Sequence, residues 1–333
     1  MTVVPRARRG LAVAVSAFVV LCGLAACGGS SSKSTSSTNT AQSGALEKTK
    51  IVVRVLPVAD VAPLYIGIKN GYFKAEGLTV EPQVINLGTQ AIGALKQGSL
   101  DVCFANYVSF FSAVAKGLQI RVVSDGYQAK PNMQVVTVLP DSPIKKISDL
   151  AGKKIGTSTP GNISQLAAMA ILQTNGVDPK SVKFVKIDNA AMASSLKNKA
   201  IDAAYELEPF LSQDQQKYGV VKVFDAMQGP TADIAIAGYA VTEKWAKANP
   251  NTFAAFQRAM AKAQAAAADR SAVEQILPTY TKIDAKTASV INLGTFPTTV
   301  NETRLRRVVD LMVQFGMLKD ASQVDLSAMV KSG

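Results

Sequence analysis

The chain has 333 residues, a formal net charge of +12 at pH 7 and 48% hydrophobic residues, but it has no histidine and only three cysteines. This composition leaves no nitrogen or sulfur cluster for zinc or iron, and it lacks the base of a Ser/His/Asp triad, so no metal or other cofactor and no catalytic residue is predicted. The lysines and arginines are scattered and seldom interleaved with aromatic residues, which argues against nucleic-acid binding.

Residues 1–26 have the pattern of an export signal. Three arginines, Arg6, Arg8 and Arg9, precede an almost uninterrupted apolar run at 11–20, and Leu24 and two small alanines at 25–26 precede Cys27. The apolar run has about a dozen residues, whereas a membrane-spanning helix needs about 20. The pattern predicts a lipoprotein signal peptide at 1–26 and lipidation of Cys27, and the alternative is an ordinary signal peptide with an unmodified Cys27.

Residues 27–49 follow as a predicted flexible linker. Most of this segment is Ser, Thr and Gly, and it has no aromatic residue. Such a composition cannot bury enough apolar surface to fold, so we expect a tether between the lipid and the folded body. The predicted location is the outer face of the cell membrane. Cys103 lies in an apolar run and is expected to be a small buried side chain.

From residue 50 onward, short strands alternate with helices. The β-branched run at 51–56 is followed by a helical stretch that ends at Lys69, before Asn70 and Gly71. This order predicts an α/β fold with mostly parallel sheets flanked by helices. Apolar residues at 234–241 predict a later strand, and the Ala-rich segment 252–270 predicts a long helix.

A weak internal repeat predicts two similar halves. Residues 94–102 (ALKQGSLDV) align without gaps on residues 195–203 (SLKNKAIDA), and the same offset places 51–56 near 153–158. An alternative is that any two strand–helix–strand units share such turns. The stretch 140–143 contains two prolines and predicts one crossing between lobes, and 229–241 predicts a second. The expected division is 50–139 in the first lobe, 140–238 in the second, and 239–333 returning to the first with C-terminal helices.

Residues 62–80 (APLYIGIKNGYFKAEGLTV) carry a family resemblance, and further matches follow at 91–102, 149–156, 202–210 and 242–245. The chain resembles the substrate-binding proteins of the nitrate, sulfonate, taurine and thiamine-pyrimidine-precursor ABC importers. The resemblance implies a two-lobed type II periplasmic-binding-protein fold with two hinge crossings. It also implies a monomer that binds a small molecule between the lobes and works with an ABC permease and ATPase complex.

Loops that follow the predicted strands supply the candidate ligand-binding residues, because ligands of open parallel sheets sit beyond the carboxyl ends of the strands. The loop at 157–164 brings hydroxyls and amides to a helix N-terminus, which favours an anionic group, although the same side chains could simply cap the helix. The candidates are Tyr65, Gly88, Thr89, Gln90, Asn106, Ser109, Ser158, Thr159, Gly161, Asn162, Asn189, Glu206 and Glu208.

Glu206 and Glu208 leave the charge of the ligand open. A carboxylate that faces the cleft would oppose a bare sulfonate or nitrate and would favour an amine, whereas Glu208 before Pro209 could instead open a helix. Tyr65 could equally be a core aromatic residue. Two other functions stay open as alternatives: a ligand-sensing module for a membrane signalling partner, and an enzyme of pyrimidine-precursor synthesis, although relatives of that kind use a histidine that this chain lacks.

Overall fold

The computed structural model describes residues 44–331, so the predicted signal peptide, Cys27 and most of the predicted linker lie outside the described residues. The strands of the described part are β1 (Lys50–Val55), β2 (Thr79–Val84), β3 (Val102–Asn106), β4 (Ile120–Gln128), β5 (Gln134–Val138), β6 (Lys154–Thr157), β7 (Lys183–Lys186), β8 (Ala203–Leu207), β9 (Val221–Asp225) and β10 (Ala235–Thr242).

The helices include several with clear N-terminal caps, such as Asn106, Asn162 and Asp269, whose side chains accept from backbone N–H groups of the first turn. They are α1 (Ala62–Lys69), α2 (Tyr72–Ala75), α3 (Gly88–Lys96), α4 (Tyr107–Val114), α5 (Ile163–Thr174), α6 (Met192–Lys197), α7 (Phe210–Tyr218), α8 (Glu243–Ala248), α9 (Pro250–Ala266), α10 (Arg270–Ile276), α11 (Ala285–Val290), α12 (Glu302–Gln314) and α13 (Leu326–Val330).

The strands form two five-stranded sheets with the same plan. The first sheet has the order β2-β1-β3-β10-β4, and the second has the order β7-β6-β8-β5-β9. In each sheet the first three strands of this order run parallel to one another. The fourth strand pairs antiparallel with both of its neighbours, the third and the fifth strand. Each sheet with its helices is a lobe, so the predicted two-lobed α/β fold is confirmed, with the qualification that both sheets are mixed.

The internal repeat corresponds to equivalent elements of the two lobes. β1, α1, α3 and β3 of the first lobe have counterparts in β6, α5, α6 and β8 of the second. The aligned segments 94–102 and 195–203 each contain the end of a helix and the turn into a central strand. The offset that relates the two sequences therefore relates the two folds.

The first crossing between the sheets lies earlier than the predicted 140–143. β5 was assigned to the first lobe, but it pairs with β8 and β9 in the second sheet, so the chain crosses at 129–133. Pro140 and Pro143 belong to a turn inside the second lobe, because proline marks any turn and not only a hinge. The return crossing is 226–234, since β10 already pairs with β3 from residue 237, within the segment assigned to the second lobe.

The two crossing segments lie side by side. The N–H of Ala129 donates to the carbonyl of Ile234 at 2.9 Å, and the N–H of Asn132 donates to the Asp225 carboxylate at 2.8 Å. These bonds tie the crossings into one narrow connection, which is the arrangement expected of a hinge.

The C-terminal helices pack mainly in the first lobe. α9 packs against α1, α2 and β4, and α12 packs against α4 and β10. Between them, α11 touches α7 of the second lobe, so the segment around 285–295 contacts both lobes.

Cys103 is a free, buried thiol in the first sheet. Within residues 44–331, no helix combines the length and the apolar character that a membrane span requires.

Candidate functional site

A central cavity lies where the carboxyl ends of parallel strands from both sheets meet, the edge at which open α/β sheets bind ligands. It offers about 60 Å³ to the centre of a water molecule, and a single water needs about 10 to 15 Å³ by the same measure. The first lobe lines it with Leu56, Val58, Asp60, Phe104, Asn106, Ile236 and Ala237. The second lobe lines it with Gln134, Ser158, Asn162, Ile163, Ser164, Asn189, Tyr205 and Leu207.

Two larger openings flank the central cavity, and both lobes line each of them. The Phe210 mouth has a volume of about 410 Å³ and includes Pro57, Asn189, Phe210, Tyr280 and Lys282. The Thr159 mouth has a volume of about 510 Å³, and its lining includes Thr89, Ser109, Lys116, Thr159 and Gly161. Asn189 lines both the central cavity and the Phe210 mouth, so these two spaces adjoin.

The start of α5 forms part of the second-lobe wall, and its polar groups are largely engaged with one another. The Asn162 side-chain oxygen accepts from the N–H of Ser164 at 3.0 Å and from the Ser164 hydroxyl at 2.5 Å. The Asn162 amide donates to Ser158 Oγ at 3.2 Å, and the N–H of Gly161 donates to Gln165 at 2.8 Å. Asn162 therefore caps the helix and lines the cavity at the same time.

Asp60 is the charged residue of the central cavity, and it was missing from the candidates. It lies in the short 3-10 turn Ala59–Val61 just before α1, and its exposed fraction is 6%. Because burial disfavours the charged carboxylate, the pKa of Asp60 is raised from 3.8 to about 7. A signal was present in the sequence, since Asp60 is the one charged residue between Arg54 and Lys69.

Other polar groups of the cavity remain available to a ligand. The Asn189 side-chain oxygen is buried and has no hydrogen-bond partner among the described residues. The Tyr205 hydroxyl donates to the Gln134 side-chain oxygen at 2.7 Å, and the amide hydrogens of Gln134 take no part in that bond. Asn106 caps α4 through its side-chain oxygen, which accepts from the N–H of Ser109 at 2.9 Å. The wall thus combines free acceptors with amide donors.

Glu206 does not face the central cavity. Successive side chains of a strand point to opposite faces, and Tyr205 and Leu207 on either side of it both line the cavity. Glu206 therefore lies on the other face of the second sheet, 1% exposed, and within the described residues neither carboxylate oxygen has a hydrogen-bond partner. Burial, and then the nearby Asp214 carboxyl, raise the pKa of Glu206 to about 9.

Glu208 is engaged in four hydrogen bonds within the protein. It accepts from the N–H and hydroxyl of Ser212 at 3.2 and 3.0 Å, and from the backbone and side-chain amides of Asn292 at 2.9 and 3.2 Å. Ser212 is in the first turn of α7, so Glu208 accepts hydrogen bonds from the start of a helix. This geometry corresponds to the alternative in which Glu208 opens a helix. Burial raises the pKa of Glu208.

The remaining candidates are distributed unevenly around the site. Of the thirteen predicted residues, Asn106, Ser158, Asn162 and Asn189 line the central cavity. Thr89, Ser109, Thr159 and Gly161 line the Thr159 mouth. Tyr65 stacks on Tyr280 with ring centroids 4.0 Å apart, and neither Gly88 nor the exposed Gln90 lines these spaces. Phe104, Gln134 and Tyr205 were missed because nothing in their local pattern separates them from core residues.

No group of three or more His, Cys, Asp or Glu side chains within residues 44–331 has a metal-binding arrangement. The polar side chains of the central cavity are amides, hydroxyls and one carboxylate, groups that can form hydrogen bonds with a solute. Such groups can bind and orient a small molecule, which is the chemistry that the arrangement supports.

The chain is similar in sequence to a known family and to two known proteins. The sequence profile of the NMT1/THI5-like family matches residues 58–272. YtlA of Bacillus subtilis is 22% identical over 66% of this chain and 66% of its own length. The riboflavin-binding protein RibY of Chloroflexus aurantiacus is 24% identical over 64% of this chain and 60% of its own length. The matched region thus spans slightly less than two thirds of each of these relatives.

Among solved structures, the alkanesulfonate-binding protein SsuA of Xanthomonas axonopodis pv. citri, bound to MOPS, superposes with a TM-score of 0.73. The superposition covers 86% of this chain and 99% of SsuA, at 15% sequence identity. At this identity the likeness concerns the fold alone, and it agrees with the two-lobed architecture described above.

Proposed function

This chain belongs to the NMT1/THI5-like family, and from that premise we propose that it is the solute-binding protein of an ABC importer. It captures a small polar organic solute, either of the sulfonate, taurine or nitrate kind or of the pyrimidine-precursor kind. It passes that solute to a permease and ATPase complex, acts as a monomer, and is held at the outer face of the cell membrane by a lipid on Cys27.

The observation that carries the proposal is a central cavity with one wall from each lobe. A solute between Asp60 and Asn106 of the first lobe and Ser158 and Asn189 of the second contacts both walls at once. Such a solute favours the closed arrangement of the lobes, because only contacts that differ between open and closed forms shift their populations. The adjacent crossing segments 129–133 and 226–234 provide a hinge for that motion.

Solute binding can be tested with the purified full chain. Isothermal titration calorimetry against sulfonates, nitrate, taurine, aminopyrimidines and riboflavin is expected to find saturable binding of one solute per chain. Small-angle X-ray scattering is expected to show a smaller radius of gyration in the complex. Absence of binding to every solute of the panel would contradict the proposal. Loss of cellular uptake of the bound solute on gene deletion separates import from the sensing alternative.

The proposed anchor can be tested independently of the ligand. A thiol at a new N-terminus is the group that lipidation modifies, so Cys27→Ser should release the protein from the membrane fraction. The two remaining cysteines provide matched controls, and Cys22→Ser should leave membrane association unchanged because Cys22 lies within the predicted signal peptide. Membrane association that survives Cys27→Ser contradicts the anchor but not the binding function.

A further inference from the structure

The central cavity has an acidic wall and no basic residue. Asp60 is its single charged lining residue, and no lysine or arginine of residues 44–331 reaches it. Lys116 and Lys282 are exposed and line the two mouths instead. A bare sulfonate or nitrate in the centre would lie beside a carboxylate, without a cation to compensate the loss of its hydration.

The helix start that could have stabilised an oxyanion is partly occupied by acceptors of the protein itself. At the N-terminus of α5, the N–H of Ser164 donates to Asn162 and the N–H of Gly161 donates to Gln165. An oxyanion at this position would have to displace side chains from these backbone donors. The helix start therefore offers an oxyanion fewer free N–H groups than its sequence suggests.

One acceptor of the same cavity lacks a counterion, and a second lacks a hydrogen-bond donor. Asp60 takes part in none of the ion pairs among residues 44–331. The Asn189 side chain is 9% exposed, lines the cavity, and its oxygen has no partner in the described part of the chain. A buried acceptor without a donor destabilises the empty protein, and a ligand that supplies the donor removes this cost.

We propose that the central cavity selects a solute carrying N–H donors, either a cationic nitrogen group or a neutral N–H-bearing heterocycle, which Asp60 and Asn189 bind, and that it rejects bare oxyanions. This inference rests on the proposed binding function and specifies its ligand class. Asp60 is then the residue of the first lobe that determines specificity, and Asn189 is its counterpart in the second lobe.

The surroundings of Asp60 allow its charge to respond to a bound cation. Burial raises the pKa of Asp60 to about 7. The titratable groups that sense its charge are Tyr127, Tyr205, Tyr239 and Tyr280, and burial raises the pKa of each, so all four stay neutral near pH 7. Affinity for a permanently cationic solute should therefore increase as the pH rises from 6 to 8 and Asp60 ionises.

Matched pairs of solutes test the selection directly. Taurine and ethanesulfonate differ in an amino group, and benzamidine and benzenesulfonate share a phenyl ring but carry opposite charges. Calorimetric titration of the full chain at pH 7.5 should find at least tenfold tighter binding of the N–H member in at least one pair. Riboflavin, a neutral molecule with an imide N–H, and nitrate extend the two classes beyond the pairs.

The variant Asp60→Asn should weaken binding of the preferred N–H solute at least tenfold, while Glu206→Gln should leave it unchanged. Glu206 is a matched control because it is a buried acid on the opposite face of the second sheet. Equal or tighter binding of the sulfonate members, or an affinity unaffected by Asp60→Asn, overturns the inference and leaves the binding function intact. Failure of both classes to bind overturns the proposed function instead.

Discussion

The two lobes both bury acids near the cleft, but they use them differently. In the first lobe, Asp60 opens into the central cavity without an ion pair among the described residues. In the second lobe, Glu206 turns away from the cavity, and Glu208 is held by hydrogen bonds to Ser212 and Asn292. An acid at the end of a strand is therefore a poor guide to the cleft until the direction of its side chain is known.

The difference follows from local backbone geometry. Strand alternation places Tyr205 and Leu207 on the cavity side of β8 and Glu206 on the opposite side. Asp60 instead lies in a 3-10 turn between a strand and a helix, where no alternation turns it away from the cleft. Substituting each of these acids should therefore give a different result, and the comparison can be tested acid by acid.

Replacing Glu208 should cause the largest loss of stability. Glu208→Ala leaves the donors of buried Ser212 and half-buried Asn292 without their acceptor, which we expect to lower the free energy of unfolding by about 4 kcal/mol. Urea unfolding followed by circular dichroism measures the change. Glu208→Gln keeps one acceptor oxygen and should lose less. A loss under about 1 kcal/mol for Glu208→Ala would show that these four bonds contribute little.

Glu206→Gln should stabilise the protein in a pH-dependent way. The folded pKa of Glu206 is about 9, above its ordinary 4.5, so between these values the unfolded chain releases a proton that the folded protein keeps. Wild-type stability therefore falls with rising pH across this window, relative to a variant that cannot ionise. We expect the variant to gain about 5 kcal/mol between pH 5 and pH 9.

Urea unfolding of wild type and Glu206→Gln at pH 5, 7, 9 and 10 checks this expectation. The gap should widen up to about pH 9 and stay constant above it, because both states are then ionised. Asp214→Asn provides a control for the neighbouring carboxyl, whose charge contributes to the shift. A gap that does not change with pH would mean that Glu206 is hydrated, and the contrast with Asp60 would lose its basis.

Asp60→Asn should also gain stability over wild type as the pH rises, but the gain should level off at a lower pH. The folded pKa of about 7 lies above the ordinary 3.8, so wild-type stability falls as the pH rises through this window and levels off above about 7. The variant should gain about 2 kcal/mol over wild type between pH 5 and pH 8. Stability would thus improve while binding is lost, as expected of a residue retained for function.

The plateau distinguishes the two acids in the same unfolding experiment. The gap for Asp60→Asn should stop widening near pH 7, two pH units before the gap for Glu206→Gln. Saturation with the preferred N–H solute should remove the advantage of Asp60→Asn, because only the wild-type carboxylate gains a partner. An advantage that persists in the presence of that solute contradicts the placement of Asp60 in the binding site.

The sequence predicted the repeating units well because their signals are local. Apolar runs, the end of α1 at Asn70 and the offset of the repeat each depend on neighbouring residues. The crossing between lobes could not be predicted from proline, because Pro131 in the crossing and Pro140 in a turn look alike in sequence. The partner of β5 depends on long-range pairing, so only the fold places it in the second sheet.

For the candidate site, too, local signals and long-range contacts differ in what the sequence can predict. Asn106 is a candidate because it follows a strand, and Asn162 because it stands at a helix start; both signals are local, and both residues line the central cavity. Tyr65 has an equally plausible loop position, but it stacks on Tyr280, more than 200 positions away in the chain. Contacts between such distant residues decide which loop side chains reach the cavity.

Asn189→Ala should have the smallest effect and should sharpen the contrast between the walls. The Asn189 oxygen has no partner to lose within the described residues, so the free energy of unfolding should not fall, whereas the complex loses one hydrogen bond. A neutral hydrogen bond contributes about 1 kcal/mol, which corresponds to roughly fivefold weaker binding of the N–H solute. Calorimetry on Asn189→Ala and on Asn198→Ala, an exposed residue that ends α6, measures the difference. If Asn189→Ala weakens binding as strongly as Asp60→Asn, both walls contribute equally, and the first lobe is not the one that selects the ligand.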